Sequence, residues 1–235
     1  MMSFLWGGEP WSVMKRILEP ELMDDDEQAQ AYAEADFEDA HDRFVEHFER
    51  VFGNEDIGRT VLDLGCGPGS ISIRFARSHP ASVVHGVDGS MAMLRYGQEL
   101  LSRSPDVGER VRLMHGMLPG ASLPHDKYDS VISNSLLHHL PDPLVLWNAV
   151  CDYAVHGAPV FVMDLFRPAT VDRAKELVAM HAAGEPEVLR RDFFNSLLAA
   201  FELDEIDKQL KDSGLDMFSV EQISDRHMIV TGRAP

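Results

Sequence analysis

The sequence predicts an α/β fold in which helices cover both faces of a doubly wound, largely parallel sheet. Three observations predict it. Residues 60–76, TVLDLGCGPGSISIRFA, run as a short apolar strand, a glycine-rich turn and the start of a helix. From there to residue 165, strand-like apolar runs alternate with segments of helical period, the pattern that builds such sheets. The chain then closes with two strand-like runs in succession, 217–224 and 227–233, joined by Asp225-Arg226.

Residues 1–21 contain Gly7-Gly8, Pro10 and Pro20, so irregular structure is expected there, with one helical turn over 13–18. Trp6 and Trp11 are ordinary aromatics for packing on a neighbouring surface or a partner. Asp24-Asp25-Asp26-Glu27 offers caps and first-turn acids for a helix. Phe37, His41, Phe44, Val45, Phe48, Val51 and Phe52 recur at spacings of three and four, which predicts an amphipathic helix ending near Gly53-Asn54. Residues 1–53 are therefore taken as an N-terminal segment with its helix, and 54–235 as the core.

Val61 to Leu64 is apolar and short, as a buried parallel strand requires. Gly65, Gly67 and Gly69 let the backbone turn and approach a ligand closely. The N–H groups at the helix start beyond them favour a partly anionic partner. Asp63 is the departure, because a carboxylate just before the glycines repels a phosphate and attracts an ammonium or sulfonium. The dinucleotide fingerprint G-x-G-x-x-G is a competitor on pattern, but Ser70 stands at its third glycine.

Through Asp63-Leu64-Gly65-Cys66-Gly67-Pro68-Gly69, the chain resembles the class I S-adenosylmethionine-dependent methyltransferases, over about residues 45–233 and most strongly over 60–143. The resemblance implies a Rossmann-like seven-stranded sheet in the order 3-2-1-4-5-7-6 with the last strand antiparallel. It implies S-adenosyl-L-methionine as cofactor, held in part by Asp63, Gly65, Cys66, Gly67 and Gly69. It also implies an N-terminal helix lying across the cofactor, which makes Tyr32, Asp36 and Phe37 candidates for lining the cofactor or acceptor pocket. Core packing is the other reading of Phe37.

Residues 82–88 form the second strand, and Asp88 at its end lies about 20 residues past the glycine turn, where an acid accepts both hydroxyls of a ribose. Gly89 follows, Ser90 caps the next helix, and Met91 is a candidate for touching adenine. The third strand, 110–115, leads to Met117-Leu118. Many family members carry an acid at the position of Met117 to hold the adenine amino group, so recognition there would fall to backbone or to Met117 itself.

The fourth strand, 128–134, runs into Ser135-Leu136-Leu137-His138-His139. By the resemblance this loop faces the reactive methyl, with Asn134 and Ser135 as binding groups. His138 and His139 are open between loop packing and a role as base or acceptor contact, since imidazole titrates near neutral pH. Adjacent histidines rarely share one ion, and no Cys or third His lies nearby, so no metal is expected. The polar-Pro-Pro-aromatic signature of enzymes that methylate base amino groups is absent here.

A helix follows over 143–153, then the fifth strand, 159–165, with Asp164 inside it and Arg167 just beyond. Asp164 is a candidate for binding an amine, orienting a histidine or pairing with Arg167, which is itself a candidate acceptor contact. Residues 169–213 predict three helices, a longer connection than one crossover needs and the expected place for acceptor specificity. Arg226, in the final turn, is a further candidate at the site edge.

The chain carries 21 basic and 39 acidic residues, a net charge of −18, with no basic patch. Such a field disfavours nucleic acid and anionic membrane as partners. Two cysteines make no disulfide framework or metal motif, and Cys66 reads as a small filler between glycines. No apolar run reaches the ~18 residues of a membrane span, and the start lacks a signal-peptide pattern, so a cytoplasmic location is expected. The expected activity is methyl transfer to a small-molecule acceptor by in-line displacement, in a monomer or homodimer. The rival readings are a catalytically silent cofactor-binding regulatory protein, a protein or RNA methyltransferase, and a nucleotide-dependent oxidoreductase.

Overall fold

The computed structural model describes residues 14–19, 25–35, 37–53 and 56–235. Trp6, Trp11, Asp24 and Asp36, together with Gly7-Gly8, Pro10 and Pro20, lie outside the described residues. Seven strands form one sheet: β1 (Thr60–Leu64), β2 (Val83–Asp88), β3 (Val111–His115), β4 (Ser130–Asn134), β5 (Pro159–Leu165), β6 (Ser219–Gln222) and β7 (His227–Arg233). Their order is β3-β2-β1-β4-β5-β7-β6, and β7 runs antiparallel to both its neighbours. The strand order reverses direction between β1 and β4, where open α/β sheets leave a crevice at the strands' C-terminal ends.

The strands at that crevice are apolar on both faces because helices cover both. On one side Phe44 and Phe48 of α2 (Glu38–Phe52) pack edge-on against Phe161 and Phe75, at ring separations of 4.9 and 4.8 Å. Phe75 belongs to α3 (Ser70–Ser78). On the other side Trp147 of α5 (Leu144–Tyr153) is fully buried, and its indole N–H donates to Gln209 Oε1 at 3.0 Å. That bond removes the cost of burying the indole nitrogen unpaired. Gln209 lies on α8 (Leu203–Asp212).

Two elements differ from expectation. The single N-terminal helix is two, α1 (Asp26–Glu34) and α2, separated by an extended Ala35. The break lets the rings of Tyr32 and Phe37 meet 4.9 Å apart, which a continuous helix five residues apart would not allow. Residues 14–19 carry no helical turn. They dock instead on α7 (Glu187–Ala199), with Ile17 N–H donating to Leu198 O at 3.0 Å. Arg16 lies over the Phe201 ring at 3.8 Å and donates to the carbonyls of His138 and Leu140, both at 2.9 Å. These contacts join chain segments far apart in sequence, which local pattern does not record.

The helix α4 (Met91–Ser102) starts as predicted, with Ser90 Oγ accepting from Met93 N–H at 3.1 Å. Between β5 and β6 lie α6 (Val171–His181), α7 and α8. No helix among the described residues is long and apolar enough to cross a membrane.

Candidate active site

A cavity of about 670 Å³ opens at the C-terminal ends of β1, β2 and β4, a size suited to organic ligands. Its floor is the glycine turn. Gly65 and Gly67 have φ of +70° and +53°, which side chains resist. A Cβ on Gly65 would strike Leu136 at 2.8 Å, whereas one on Gly67 would meet nothing within 4 Å. Backbone is thus bare toward the cavity at Gly67. Asp88 fastens this turn: Oδ2 accepts from Gly67 N–H and Oδ1 from Ser90 N–H, each at 2.8 Å. Its two oxygens keep lone pairs toward the cavity, which it lines. Burial pushes the Asp88 carboxyl up despite these two donors.

Asp63 is 1 % exposed, and its Oδ2 accepts from Ser72 Oγ at 2.6 Å. Burial pushes its carboxyl up to about 7, against the lowering effect of Ser72, and the Asp88 charge adds to the rise. A buried carboxylate with one hydroxyl partner is short of positive charge, as a site for an ammonium should be. Cys66 also lines the cavity, and burial, with Asp63 and Asp88, holds its thiol far above the ordinary range. A thiol held there stays protonated and is a poor nucleophile.

At the opposite wall a short 3-10 turn, η1 (Leu137–His139), carries the histidine pair. Asp164 lies directly behind it. Its Oδ2 accepts from Leu137 N–H at 2.7 Å, and its Oδ1 contacts His138 Nδ1 at 2.5 Å. Of the three roles open to Asp164, the geometry selects the orienting of a histidine. Burial would lower the His138 imidazole, but the charge and hydrogen bond of Asp164, with the charge of Glu19, outweigh it and hold the ring above its usual value. Burial likewise raises Asp164, and His138 more than reverses that. The other side of the pair meets Glu19, whose Oε1 lies 3.6 Å from His138 Nε2 and 3.3 Å from His139 Nδ1.

A model of the family described as "Methyltransferase domain" matches residues 61–157. An uncharacterized methyltransferase of Mycobacterium tuberculosis is 30% identical over 124 residues, covering 53% of this chain and 59% of that relative. The chain thus spans under two thirds of this curated relative's length. Among solved structures, a SAM-dependent methyltransferase from Aquifex aeolicus has a TM-score of 0.66 at 17% identity, covering 90% of this chain and 99% of that one. Magnesium protoporphyrin IX methyltransferase from Synechocystis, with bound SAH, has a TM-score of 0.58 at 19% identity, covering 83% and 84%. At such identities the structural likeness is one of fold. The sheet order, the Asp63–Gly69 turn and the matched domain agree. Residues 61–157 thus match a methyltransferase domain, set in a fold like that of the solved S-adenosylmethionine-dependent methyltransferases.

The cavity gathers most of the predicted residues. Gly89, Ser90, Met117, Leu118, Asn134 and Ser135 line it, as do Tyr32, Phe37, His138, His139 and Arg226. Ser135 has φ of +56°, uncommon outside glycine and frequent at functional turns. Burial pushes the Tyr32 hydroxyl up to about 12, with Asp88 and Asp164 adding to it, so it stays a neutral hydrogen-bonding group. Arg226 donates to Asp225 Oδ1 and contacts His181 Nε2, each at 2.9 Å.

Four predicted residues fall outside: Asp164, which stands behind His138, and Gly69, Met91 and Arg167. Gly69 is the left-handed N-cap of α3, and Leu113 sits where its Cβ would be. Met91 is 58% exposed, and Met93 lines the cavity in its place. Arg167 is a correction. Its guanidinium is buried against Ala200 O at 2.9 Å, Glu202 at 3.1 Å and Glu205 at 3.0 Å, where it ties β5 to α8. Its service is to the fold. Arg167→Met is expected to cost about 2 kcal/mol, since it strands two half-exposed carboxylates, while S-adenosylhomocysteine affinity stays within twofold; thermal unfolding and calorimetry check both. Residues that sequence reasoning missed include Glu19, Met93, His181 and Asp192, the last two contributed to the lining by α6 and α7.

Proposed function

We propose that this protein transfers the methyl group of S-adenosylmethionine to a small-molecule acceptor, at a proton-bearing oxygen or nitrogen. The observation that carries this reading is a single cavity joining two unlike ends. One end offers Asp63 for an ammonium, Asp88 for ribose hydroxyls and the bare Gly67 backbone. The other offers an imidazole pair backed by a buried carboxylate. When bound, the cofactor supplies an electrophilic methyl on a sulfonium. The protein's share is alignment and exclusion of water.

At the acceptor end, His138 is placed to receive the proton that methylation of an O–H or N–H group displaces. Asp164 holds Nδ1, which leaves Nε2, 3.6 Å from Glu19 Oε1, as the basic nitrogen. Leu140, Leu165, Leu189 and Phe193 share the lining with His181, Asp192, Ser196 and Arg226, a mixed wall that suits an organic acceptor carrying polar groups of its own. The net charge of −18 supports a small acceptor over nucleic acid.

Calorimetric titration with S-adenosylmethionine, S-adenosylhomocysteine and NAD tests the first half of this reading. Binding of the first two without NAD is expected, and NAD binding alone would reverse it. Asp88→Ala is expected to weaken S-adenosylhomocysteine by about 1–3 kcal/mol, the value of hydrogen bonds to a charged group; unchanged affinity would remove Asp88 from the cofactor site. Methyl-labelled turnover over a panel of phenols, carboxylates and amines tests the second half.

A further inference from the structure

The histidine pair has a third member, contributed by the docked strap at residues 14–19. Glu19 Oε1, His138 Nε2 and His139 Nδ1 all lie within 4.8 Å of one another. We propose that these three atoms form a binding site for a borderline transition cation of the Zn²⁺ type, with the acceptor's heteroatom reaching the ion as a further ligand. The inference rests on reading this end of the cavity as the acceptor chamber.

Geometry argues for it first. Ligand bonds of about 2.0–2.1 Å around a tetrahedral ion place neighbouring donor atoms about 3.4 Å apart. The two separations made by Glu19 Oε1 are 3.6 and 3.3 Å. Two edges of the coordination polyhedron are therefore close to their final length. Glu19 Oε1 is buried and accepts no hydrogen bond, an arrangement that costs stability unless something positive meets it. The donor set is two imidazoles and one carboxylate, which suits Zn²⁺ or Fe²⁺ and not Mg²⁺ or Ca²⁺, whose ligands are oxygens.

The surroundings supply what a bound ion needs. Asp164 holds His138 Nδ1 and so fixes the tautomer that presents Nε2, the carboxylate–histidine–metal relation found behind many metal ligands. His138 and His139 line the cavity, so an ion held between them faces its interior. A hydroxyl or amine that coordinates there acidifies and gives up its proton. His138 then serves as ligand rather than base, and the two roles exclude one another. Expecting no metal from the sequence followed from the lack of a third His or Cys near His138-His139; the third donor comes from the other end of the chain.

The experiment is titration of the full-length, chelator-treated protein with Zn²⁺, followed by calorimetry and by metal analysis after gel filtration. One equivalent is expected, with affinity falling at least a hundredfold in Glu19→Gln and in His139→Ala. S-adenosylhomocysteine binding in each variant reports that the fold is intact. No stoichiometric Zn²⁺, or an affinity in both variants unchanged from that of the unmodified protein, overturns the metal site. Because the variants keep the cofactor pocket, that failure leaves the methyltransferase reading standing. Loss of S-adenosylhomocysteine binding by the unmodified protein would instead strike that reading.

Discussion

Asp63→Asn is expected to make the cofactor-free protein more stable at about pH 8 while weakening its hold on S-adenosylmethionine at least tenfold. The two effects have one cause. Burial raises the folded-state carboxyl from 3.8 to about 7. Between those values the folded protein binds a proton that the unfolded chain has released, so stability falls as pH rises through the window, and the loss is complete above about 7. At ~1.4 kcal/mol per unit, the ionised Asp63 costs the apo protein up to about 4 kcal/mol at pH 8. Asparagine has no such titration and keeps an oxygen for the Ser72 hydroxyl. The gain should shrink toward zero near pH 4, where Asp63 is protonated in either state.

The same linkage predicts that cofactor affinity of the unmodified protein climbs as pH rises through about 7, because only the ionised carboxylate attracts an ammonium. Thermal melts at pH 5 and 8 read the first effect, and calorimetry across the same range reads the second. Equal melting at pH 8 would mean that Asp63 carries no strain of burial. PH-independent affinity would mean that it does not face the cofactor's charge. Stability given up at a binding residue is a common cost of function.

Asp63 also shows what the sequence made legible. A carboxylate in an apolar strand is a local contradiction, and such contradictions tend to mark sites. The glycine turn, the Ser90 cap and the final hairpin are equally local, and the structure forms each where the pattern puts it. Asp164 was legible as an acid in a buried strand, but its partner was not. The choice among amine, histidine and Arg167 was made by the 3-10 turn folding back over β5. Arg167 was drawn away by α8, whose Glu202 and Glu205 lie far along the chain. The helix break at Ala35 and the strap that delivers Glu19 depend wholly on tertiary docking. Met91 missed by one step of a helix: the Ser90 cap turns it outward and carries Met93 into the cavity.

Asp164→Asn is expected to lower kcat by about 10²–10⁴-fold, the range that a positioned acid–base group supplies. The substitution is close in shape, and an amide oxygen in the place of Oδ2 still accepts from Leu137 N–H, as the carboxylate does at 2.7 Å. The amide nitrogen takes the place of Oδ1, which contacts His138 Nδ1 and accepts from Leu165 N–H. What changes is the other partner. An amide that keeps its oxygen on Leu137 N–H gives up the Leu165 bond and presents N–H to His138 Nδ1, so the ring keeps its lone pair there and carries its proton on Nε2. That tautomer neither takes a proton from an acceptor nor ligates a cation. Asp164 lies outside the cavity lining, so S-adenosylhomocysteine affinity should stay within twofold, and a rate loss with intact binding identifies a positioning role. The two accounts of the histidine pair then separate on a second readout. If His138 acts as base, the variant loses rate with no change in bound metal. If Glu19, His138 and His139 hold a cation, it loses Zn²⁺ affinity by about 10–100-fold along with rate. A kcat within threefold of the unmodified protein would mean that the reaction does not pass through His138 in either capacity.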